Sequence, residues 1–151
     1  MATIELRTEI EAPVERCFDL SRDLDLHLRS MEHTGERAVG GRVSGVLESG
    51  DEVTWEARHF GILHRHTSRI TRYDRPRYFR DAMVRGRFAR FAHDHFFEPT
   101  GFGTVMRDVL EFESPFGFVG RVVDRVVLAK YLERLLVERN RVIKHEAERQ
   151  C

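Results

Sequence analysis

In the N-terminal segment, three apolar residues and a threonine occupy every second position: Ile4, Leu6, Thr8 and Ile10. This period of two predicts a half-buried β-strand that ends near Glu11. Pro13 then begins a helix, because proline is tolerated in a first helical turn and residues 14–20 carry an apolar stripe at helical spacing. A second short helix is predicted over 23–31.

The middle of the chain, from Glu36 to about Glu113, keeps the period of two and lacks the helical period. Turn-forming sequences such as Gly40-Gly41 and Pro99-Thr100-Gly101 separate the alternating runs. The predicted strands cover 36–39, 52–60, 62–73, 78–85, 88–98 and 103–113. With the first strand they make a meander of seven antiparallel strands.

The last third, from about Phe118 to Gln150, has no proline and no glycine beyond position 120, which predicts one long helix. Its apolar residues form two stripes. One contains Val119, Val122 and Val126, and the other, rotated by well over a right angle, contains Leu128, Leu132, Leu135, Leu136 and Ile143. We therefore expect the helix to bend, or to change its packing partner, near Ala129. It either curls over a twisted sheet or keeps a second apolar patch for a homodimer.

The turn before this helix has the sequence Ser114-Pro115-Phe116-Gly117-Phe118, with two aromatic side chains. Two interpretations fit this turn. The aromatic rings either close the mouth of a cavity or pack as the entry to the helix.

The composition limits the class of protein. A chain of 151 residues has the size of one domain, which we assign to 1–151. The 25 basic residues balance the 25 acidic residues, and the pI is about 7.1, so a nucleic-acid partner is disfavoured. No apolar run reaches the roughly 18 residues of a membrane-spanning helix, which argues against integral membrane association.

The cellular compartment follows from the N-terminus and the cysteines. The first residues lack the basic stretch and apolar stretch of a signal peptide. Cys17 and Cys151 are too few for a disulfide framework or a thiolate metal cluster. We expect a protein of the reducing cytoplasm.

The order of the predicted elements resembles the helix-grip fold of START-like domains, the SRPBCC superfamily, over essentially the whole chain. Three segments carry the local resemblance: Ile10–Asp19, Gly101–Thr104 and Asp108–Phe112. In the first, family members typically run from a strand through a small residue and a proline into a helix with a phenylalanine. The resemblance implies an α+β fold in which a curved, seven-stranded antiparallel sheet wraps around the long C-terminal helix, with an elongated cavity between them. It leaves the reaction open, because the superfamily includes lipid carriers, polyketide cyclase/dehydrase-like proteins, co-chaperones and hormone receptors.

Strand alternation predicts which side chains face that cavity. In 52–60 the odd-numbered positions are apolar except for His59, whereas the even-numbered positions include two glutamates and an arginine. The same reasoning in the other strands gives an inward-facing set that contains five histidines and two aspartates: His59, His64, His66, His93, His95, Asp81 and Asp108. An apolar cavity does not need them, and buried polar groups must pair, stay wet or contact a ligand.

Four explanations for these polar residues stay open. They form internal hydrogen bonds, or one strand has its register shifted by one, with Gly86 as a candidate bulge. They orient the polar end of a mostly apolar ligand. His64 with His66, or His93 with His95, bind a metal ion together with an aspartate, although the spacing alone is a weak signal. A histidine–aspartate pair acts as a general acid and base in an aldol-type cyclisation or a dehydration.

We predict that the protein binds a small hydrophobic molecule, such as a lipid, an isoprenoid or a polyaromatic or polyketide-like compound, between the sheet and the last helix. The predicted ligand-binding residues are Trp55, His59, His64, His66, Asp81, Met83, Phe91, His93, His95, Asp108, Leu110 and Phe112. No cofactor, metal ligand or catalytic residue is assigned. The first alternative is a cyclase/dehydrase-type enzyme that uses a histidine–aspartate pair. The second is a partner-binding module, which requires an exposed apolar bend around Val123, Val127 and Tyr131.

Overall fold

A curved antiparallel sheet of seven strands forms the body of the structure, a computed structural model that describes residues 1–149. The strands are β1 (Ala2–Ile10), β2 (Arg37–Gly41), β3 (Glu52–His59), β4 (Ile62–Asp74), β5 (Tyr78–Arg85), β6 (Arg90–Pro99) and β7 (Thr104–Glu113). Their order in the sheet is β1-β7-β6-β5-β4-β3-β2, so β1 pairs with the last strand and the others form a meander. The predicted strands are confirmed, with shifts of no more than about two residues at their ends.

Two short helices follow β1, as the sequence predicts: α1 (Val14–Ser21) and α2 (Leu24–Ser30). Pro13 precedes α1 in an extended conformation, and the carboxylate of Asp23 caps α2 by accepting a hydrogen bond from the backbone N–H of Leu26 at 3.1 Å. A short 3₁₀ turn, Glu32–Thr34, then leads into β2.

The C-terminal helix is divided into three parts: α3 (Gly117–Val123), a π-helical segment (Asp124–Leu128) and α4 (Ala129–Arg149). The predicted change near Ala129 is confirmed, because a π-helical turn holds more residues than an α-helical one and rotates the side chains that follow it. The apolar stripe before this segment is exposed, whereas Leu136 and Ile143 beyond it are buried against the sheet. Gln150 and Cys151 lie outside the described residues.

The core between α4 and the sheet has two apolar clusters. One contains Phe18, Phe79, Phe97 and Ile143, with the Phe18 ring edge-on to both other rings. The second contains Ile4, Leu110, Phe112 and Leu136. Along α4, Arg139 and Asn140 fall between these clusters and are buried with them. A buried polar layer therefore separates two apolar ones.

The described helices include none that is long and apolar enough to cross a membrane.

The helix-grip architecture expected from the sequence is present, with α4 packed against the concave face of the sheet.

Candidate ligand-binding cavity

A cavity of about 560 Å³ lies between the concave face of the sheet and α4. Its walls include apolar side chains from both elements, among them Ala57 and Ile70 from the sheet and Leu132 from the helix. Nine of the twelve predicted ligand-binding residues line it: Trp55, His59, His64, His66, Asp81, Phe91, His93, His95 and Leu110. Strand alternation thus placed most of the polar residues on the correct face.

Three of the predicted residues, Met83, Asp108 and Phe112, do not line the cavity. The sulfur of Met83 fills the space beside Gly86. A Cβ atom added at Gly86 would lie 2.8 Å from this sulfur. Asp108 is covered by α4, and Phe112 packs in the second apolar cluster. All three keep the predicted inward direction, but Asp108 and Phe112 are fully buried under neighbouring groups, and Met83 is half-buried beside Gly86. Alternation predicts a face of the sheet and does not predict which residues the helix covers.

One end of the cavity ends in a buried polar cluster, which consists of Asp81, His93, His95, Asp108, Arg139 and Asn140. On its inner side, the carboxylate of Asp108 accepts hydrogen bonds from His93 Nε2 at 2.8 Å and from Asn140 Nδ2 at 2.8 Å. Arg139 Nη1 is 3.4 Å from the same carboxylate. Because Asp108 is fully buried, these donors satisfy a charge that has no access to water.

On the cavity side of the cluster, His95 Nε2 donates to Asp81 Oδ2 at 2.6 Å. The other ring nitrogen of His95, Nδ1, lies 3.4 Å from Arg139 Nη2, a group that can only donate. The neutral tautomer with its proton on Nε2 satisfies both of these contacts, and Asp108 Oδ1 lies 3.5 Å from Nδ1. Its ring stacks on Phe79, with centroids 4.0 Å apart, and on His93, with centroids 3.7 Å apart.

Burial and hydrogen bonding set the charges of this cluster. Burial lowers the pKa of His95 to about 4, so its imidazole is neutral at pH 7. Burial alone would raise the pKa of Asp81, but the hydrogen bond from His95, followed by the electrostatic effects of His95, His93 and Arg139, holds that pKa well below its usual range. Burial opposes ionisation of Asp108 too, and its pKa is likewise low because the hydrogen bond from His93 and the Arg139 charge outweigh burial. Both carboxylates are thus ionised, and Asp81 is the one that faces the cavity.

The donor atoms of Asp81, His93 and His95 lie within 4.8 Å of one another, the spacing of a metal site. Two observations disfavour a shared ion. The two imidazole rings are stacked at an interplanar angle of 24°, so their in-plane lone pairs do not converge on one point. The Arg139 cation lies next to His95. An ion would require one ring to turn and both histidine–carboxylate hydrogen bonds to break.

The remaining histidines lie toward the cavity mouth. His59 Nδ1 shares a 2.6 Å hydrogen bond with the hydroxyl of Tyr131 on α4, and His64 Nε2 donates to the backbone carbonyl of His59 at 3.3 Å. His66 lies edge-on to Phe91, with centroids 4.9 Å apart. Burial lowers the pKa of both His59 and His66, which favours their neutral forms.

Sequence reasoning did not assign Arg139, Asn140, Phe88 or Tyr131 to the site, and it named Tyr131 only as part of the bend. Arg139 follows Leu136 by three residues and precedes Ile143 by four, so it shares the buried stripe of α4. The signal available in the sequence was a basic residue on the apolar stripe of the helix, facing the aspartates that alternation places on the inward side of the sheet. Phe88 comes from the turn before β6 and Tyr131 from the end of the predicted bend.

The predicted bend is exposed in part. Val123 and Val127 are exposed, whereas Tyr131 is half-buried because it contacts His59 and Phe60. The apolar surface that a partner-binding module requires is therefore present on the α3 side of the bend.

Comparison with known proteins gives one family. The sequence profile described as polyketide cyclase/dehydrase and lipid transport matches residues 1–148. Among proteins of curated function, none matches the sequence.

Three solved structures illustrate the likeness of fold. TTHA0849 from Thermus thermophilus is 21% identical, with a TM-score of 0.73 over 94% of this chain and 97% of that one. A START superfamily protein from Mycobacterium smegmatis is 11% identical, with a TM-score of 0.72 over 99% of each chain. The Zhui aromatase/cyclase from Streptomyces sp. R1128 is 14% identical, with a TM-score of 0.78 over 99% of this chain and 94% of that one. At these identities the likeness is one of fold.

Proposed function

Since the chain belongs to the polyketide cyclase/dehydrase and lipid transport family, we propose that it binds a small, largely apolar molecule whose polar end carries a hydroxyl group. The observation that carries this proposal is a cavity of about 560 Å³ with mostly apolar walls, at one end of which the ionised carboxylate of Asp81 faces the interior beside the buried polar cluster. Cavities of this volume suit ligands of a few fused rings or a short acyl chain.

The apolar walls supply the affinity. Trp55, Phe91 and Leu110 come from three different strands, and Leu132 comes from α4, so a ligand is enclosed from the sheet and from the helix. Removing apolar surface from water stabilises the complex in proportion to the buried area.

The polar end supplies the orientation. Asp81 Oδ2 already accepts a hydrogen bond from His95, and Oδ1 has no hydrogen bond within the described residues. An ionised carboxylate accepts hydrogen bonds and repels anions. A ligand hydroxyl therefore fits this end of the cavity, whereas a ligand carboxylate does not.

Native mass spectrometry tests the proposal. The freshly purified protein is measured as isolated, and again after addition of 1,8-dihydroxyanthraquinone, a planar molecule with two hydroxyl groups. We expect a complex with one molecule bound, either copurified or added. A variant with a filled cavity, Ala57→Leu, should lose it, while Ala92→Leu, on the convex face, should keep it. Equal binding by both variants would place the ligand elsewhere and reject the proposal.

A second candidate function is catalysis of a dehydration in the same cavity. The Asp81–His95 pair favours it, because the Asp81 carboxylate, held by a neutral imidazole at 2.6 Å, can take the proton from the carbon next to a ketone and return it to the departing β-hydroxyl group, so that water leaves as the double bond forms. 4-Hydroxy-4-phenyl-2-butanone is a suitable substrate probe, since loss of water gives a conjugated, ultraviolet-absorbing enone. Catalysis predicts conversion above the buffer rate that Asp81→Asn abolishes. Conversion at the buffer rate would remove this candidate and leave the binding proposal intact.

A further inference from the structure

Large apolar side chains are exposed around the cavity mouth. In the turn and helix after β7, Phe116 is 74% exposed, Phe118 76% and Val119 68%. Val122 and Val126 continue the surface, and the tip of the β3–β4 hairpin adds Phe60, Ile62 and Leu63. We call these eight residues the mouth face.

The mouth face is continuous with the cavity. Phe60, Ile62 and Phe116 line both, and the ring of Phe60 packs on Tyr131 of α4 with centroids 4.6 Å apart. The start of β4 and the end of β7 lie at the same end of the antiparallel sheet. The hairpin tip and α3 therefore flank one opening.

Basic residues surround the mouth face. Segments 85–90 and 114–130 contain six of them and one acidic residue, Asp124. The six are Arg85, Arg87, Arg90, Arg121, Arg125 and Lys130, and all are exposed. Among the side chains that the structure describes, none offers these six an ion-pair partner. These two segments together carry six positive charges and one negative charge, so with a net charge of zero for the whole chain the remaining residues are net negative.

We propose that the mouth face docks on the surface of an anionic lipid bilayer. Exposed phenylalanine and valine side chains enter the boundary between headgroups and acyl chains, and the surrounding arginines meet the anionic headgroups. A second copy of the chain fits less well, since two positive faces would meet. The mouth of the cavity would then open directly onto the lipid.

Docking of the mouth face on a bilayer does not depend on ligand binding in the cavity. Docking requires the exposed residues and does not require a ligand in the cavity. The ligand-free protein is therefore the test material. Failure of ligand binding and failure of docking are therefore measured separately.

Flotation with lipid vesicles tests the proposal. The protein is mixed with vesicles of phosphatidylcholine alone or of phosphatidylcholine with phosphatidylglycerol, at low and high salt. We expect flotation with the phosphatidylglycerol vesicles at low salt, and its loss at high salt, because salt screens exposed charges. Phe118→Ser with Val119→Ser, and separately Arg121→Glu with Arg125→Glu, should each lower the partition coefficient at least about tenfold.

The matched controls lie at the opposite end of the sheet. Phe102→Ser, in the β6–β7 turn, and Arg77→Glu, in the β4–β5 turn, should float like the unaltered protein. Circular dichroism shows whether each variant is folded. The proposal is overturned if the unaltered protein stays with the soluble fraction, or if all four variants float equally. It is also overturned if light scattering shows a dimer that Phe118→Ser with Val119→Ser dissociates, because a second copy then covers the face.

Discussion

Arg139 of α4 and Asp108 of β7 form an ion pair beneath the C-terminal helix, with Nη1 3.4 Å from Oδ1 and both side chains buried. The same guanidinium donates to the backbone carbonyl of Ser21 at the end of α1, at 3.3 Å, and faces His95 Nδ1 on β6. The Arg139 side chain thus joins α4 to α1 and to strands β6 and β7. It also fixes the tautomer of the histidine that supports Asp81.

Replacing Arg139 should destabilise the protein strongly. In Arg139→Met the aliphatic volume remains, but Asp108 keeps its buried charge without the guanidinium, and breaking a buried pair in this way costs about 3 kcal/mol or more. Urea unfolding followed by circular dichroism gives the free energy. Arg141→Met, an exposed arginine of the same helix, should change stability by less than about 0.5 kcal/mol. Equal effects of the two substitutions would refute the structural role of Arg139.

The free energy of unfolding should fall as the pH is lowered from 6.5 to 4. The pKa of His95 is lowered from 6.5 to about 4 by burial, so the unfolded chain binds a proton in this range that the folded protein does not. Stability is therefore complete above pH 6.5 and declines as the pH falls, by on the order of 3 kcal/mol from this group. The low pKa of Asp81 acts in the same direction at still lower pH.

Unfolding free energies measured in urea at a series of pH values check this dependence. His95→Gln should be less stable at pH 7 and lose less stability on acidification, because the titrating imidazole is gone. His145→Gln, an exposed residue outside the cluster, is the matched control. A slope in His95→Gln as steep as in the unaltered protein would assign the pH dependence to other groups.

Asp81 should select for hydroxyl groups on the ligand. Asp81→Asn keeps the shape of the side chain and removes the charge, so binding of 1,8-dihydroxyanthraquinone should weaken about tenfold, while anthraquinone-2-carboxylate should bind more tightly. Isothermal titration calorimetry measures both. Glu111→Gln, a carboxylate on the convex face, should change neither affinity. Unchanged affinities in Asp81→Asn would place the polar end of the ligand elsewhere.

The Tyr131–His59 hydrogen bond should hold the β3–β4 hairpin against α4. Tyr131→Phe keeps the ring contact with Phe60 and removes the 2.6 Å hydrogen bond, at a cost of about 1 kcal/mol. We expect amide hydrogens of the hairpin to exchange several-fold faster in deuterium-exchange mass spectrometry. Tyr73→Phe, which loses a hydrogen bond to Glu48, should leave the hairpin unchanged. Identical hairpin exchange in the two variants would show that the Tyr131–His59 hydrogen bond does not hold the hairpin against α4.

The sequence predicted the fold from local information. Alternation located the strands, Pro13 located the first helix, and the absence of proline from the last third and of glycine beyond position 120 located the last helix. The two apolar stripes of the last helix predicted the change that the π-helical segment makes at Asp124–Leu128. Each of these features depends on neighbours within a few positions along the chain.

The site depended on contacts between distant segments. Alternation placed Asp108 on the inward face, but its burial beneath Arg139 and Asn140 depends on how far α4 is rotated about its axis. That rotation is set by the π-helical segment. Likewise, only the register of β5 against β6 brings Asp81 opposite His93 and within reach of His95.

The central claim, that a ligand occupies the cavity beside Trp55, is tested most directly by fluorescence. Trp55 is the single tryptophan of the chain and lines the cavity, where its Nε1 donates to Ser68 Oγ at 3.2 Å. Titration with 1,8-dihydroxyanthraquinone should quench the Trp55 fluorescence with one-to-one stoichiometry in the unaltered protein and in Ala92→Leu. It should not quench this fluorescence in Ala57→Leu. Quenching that is absent from the unaltered protein, or equal in all three proteins, would contradict the account.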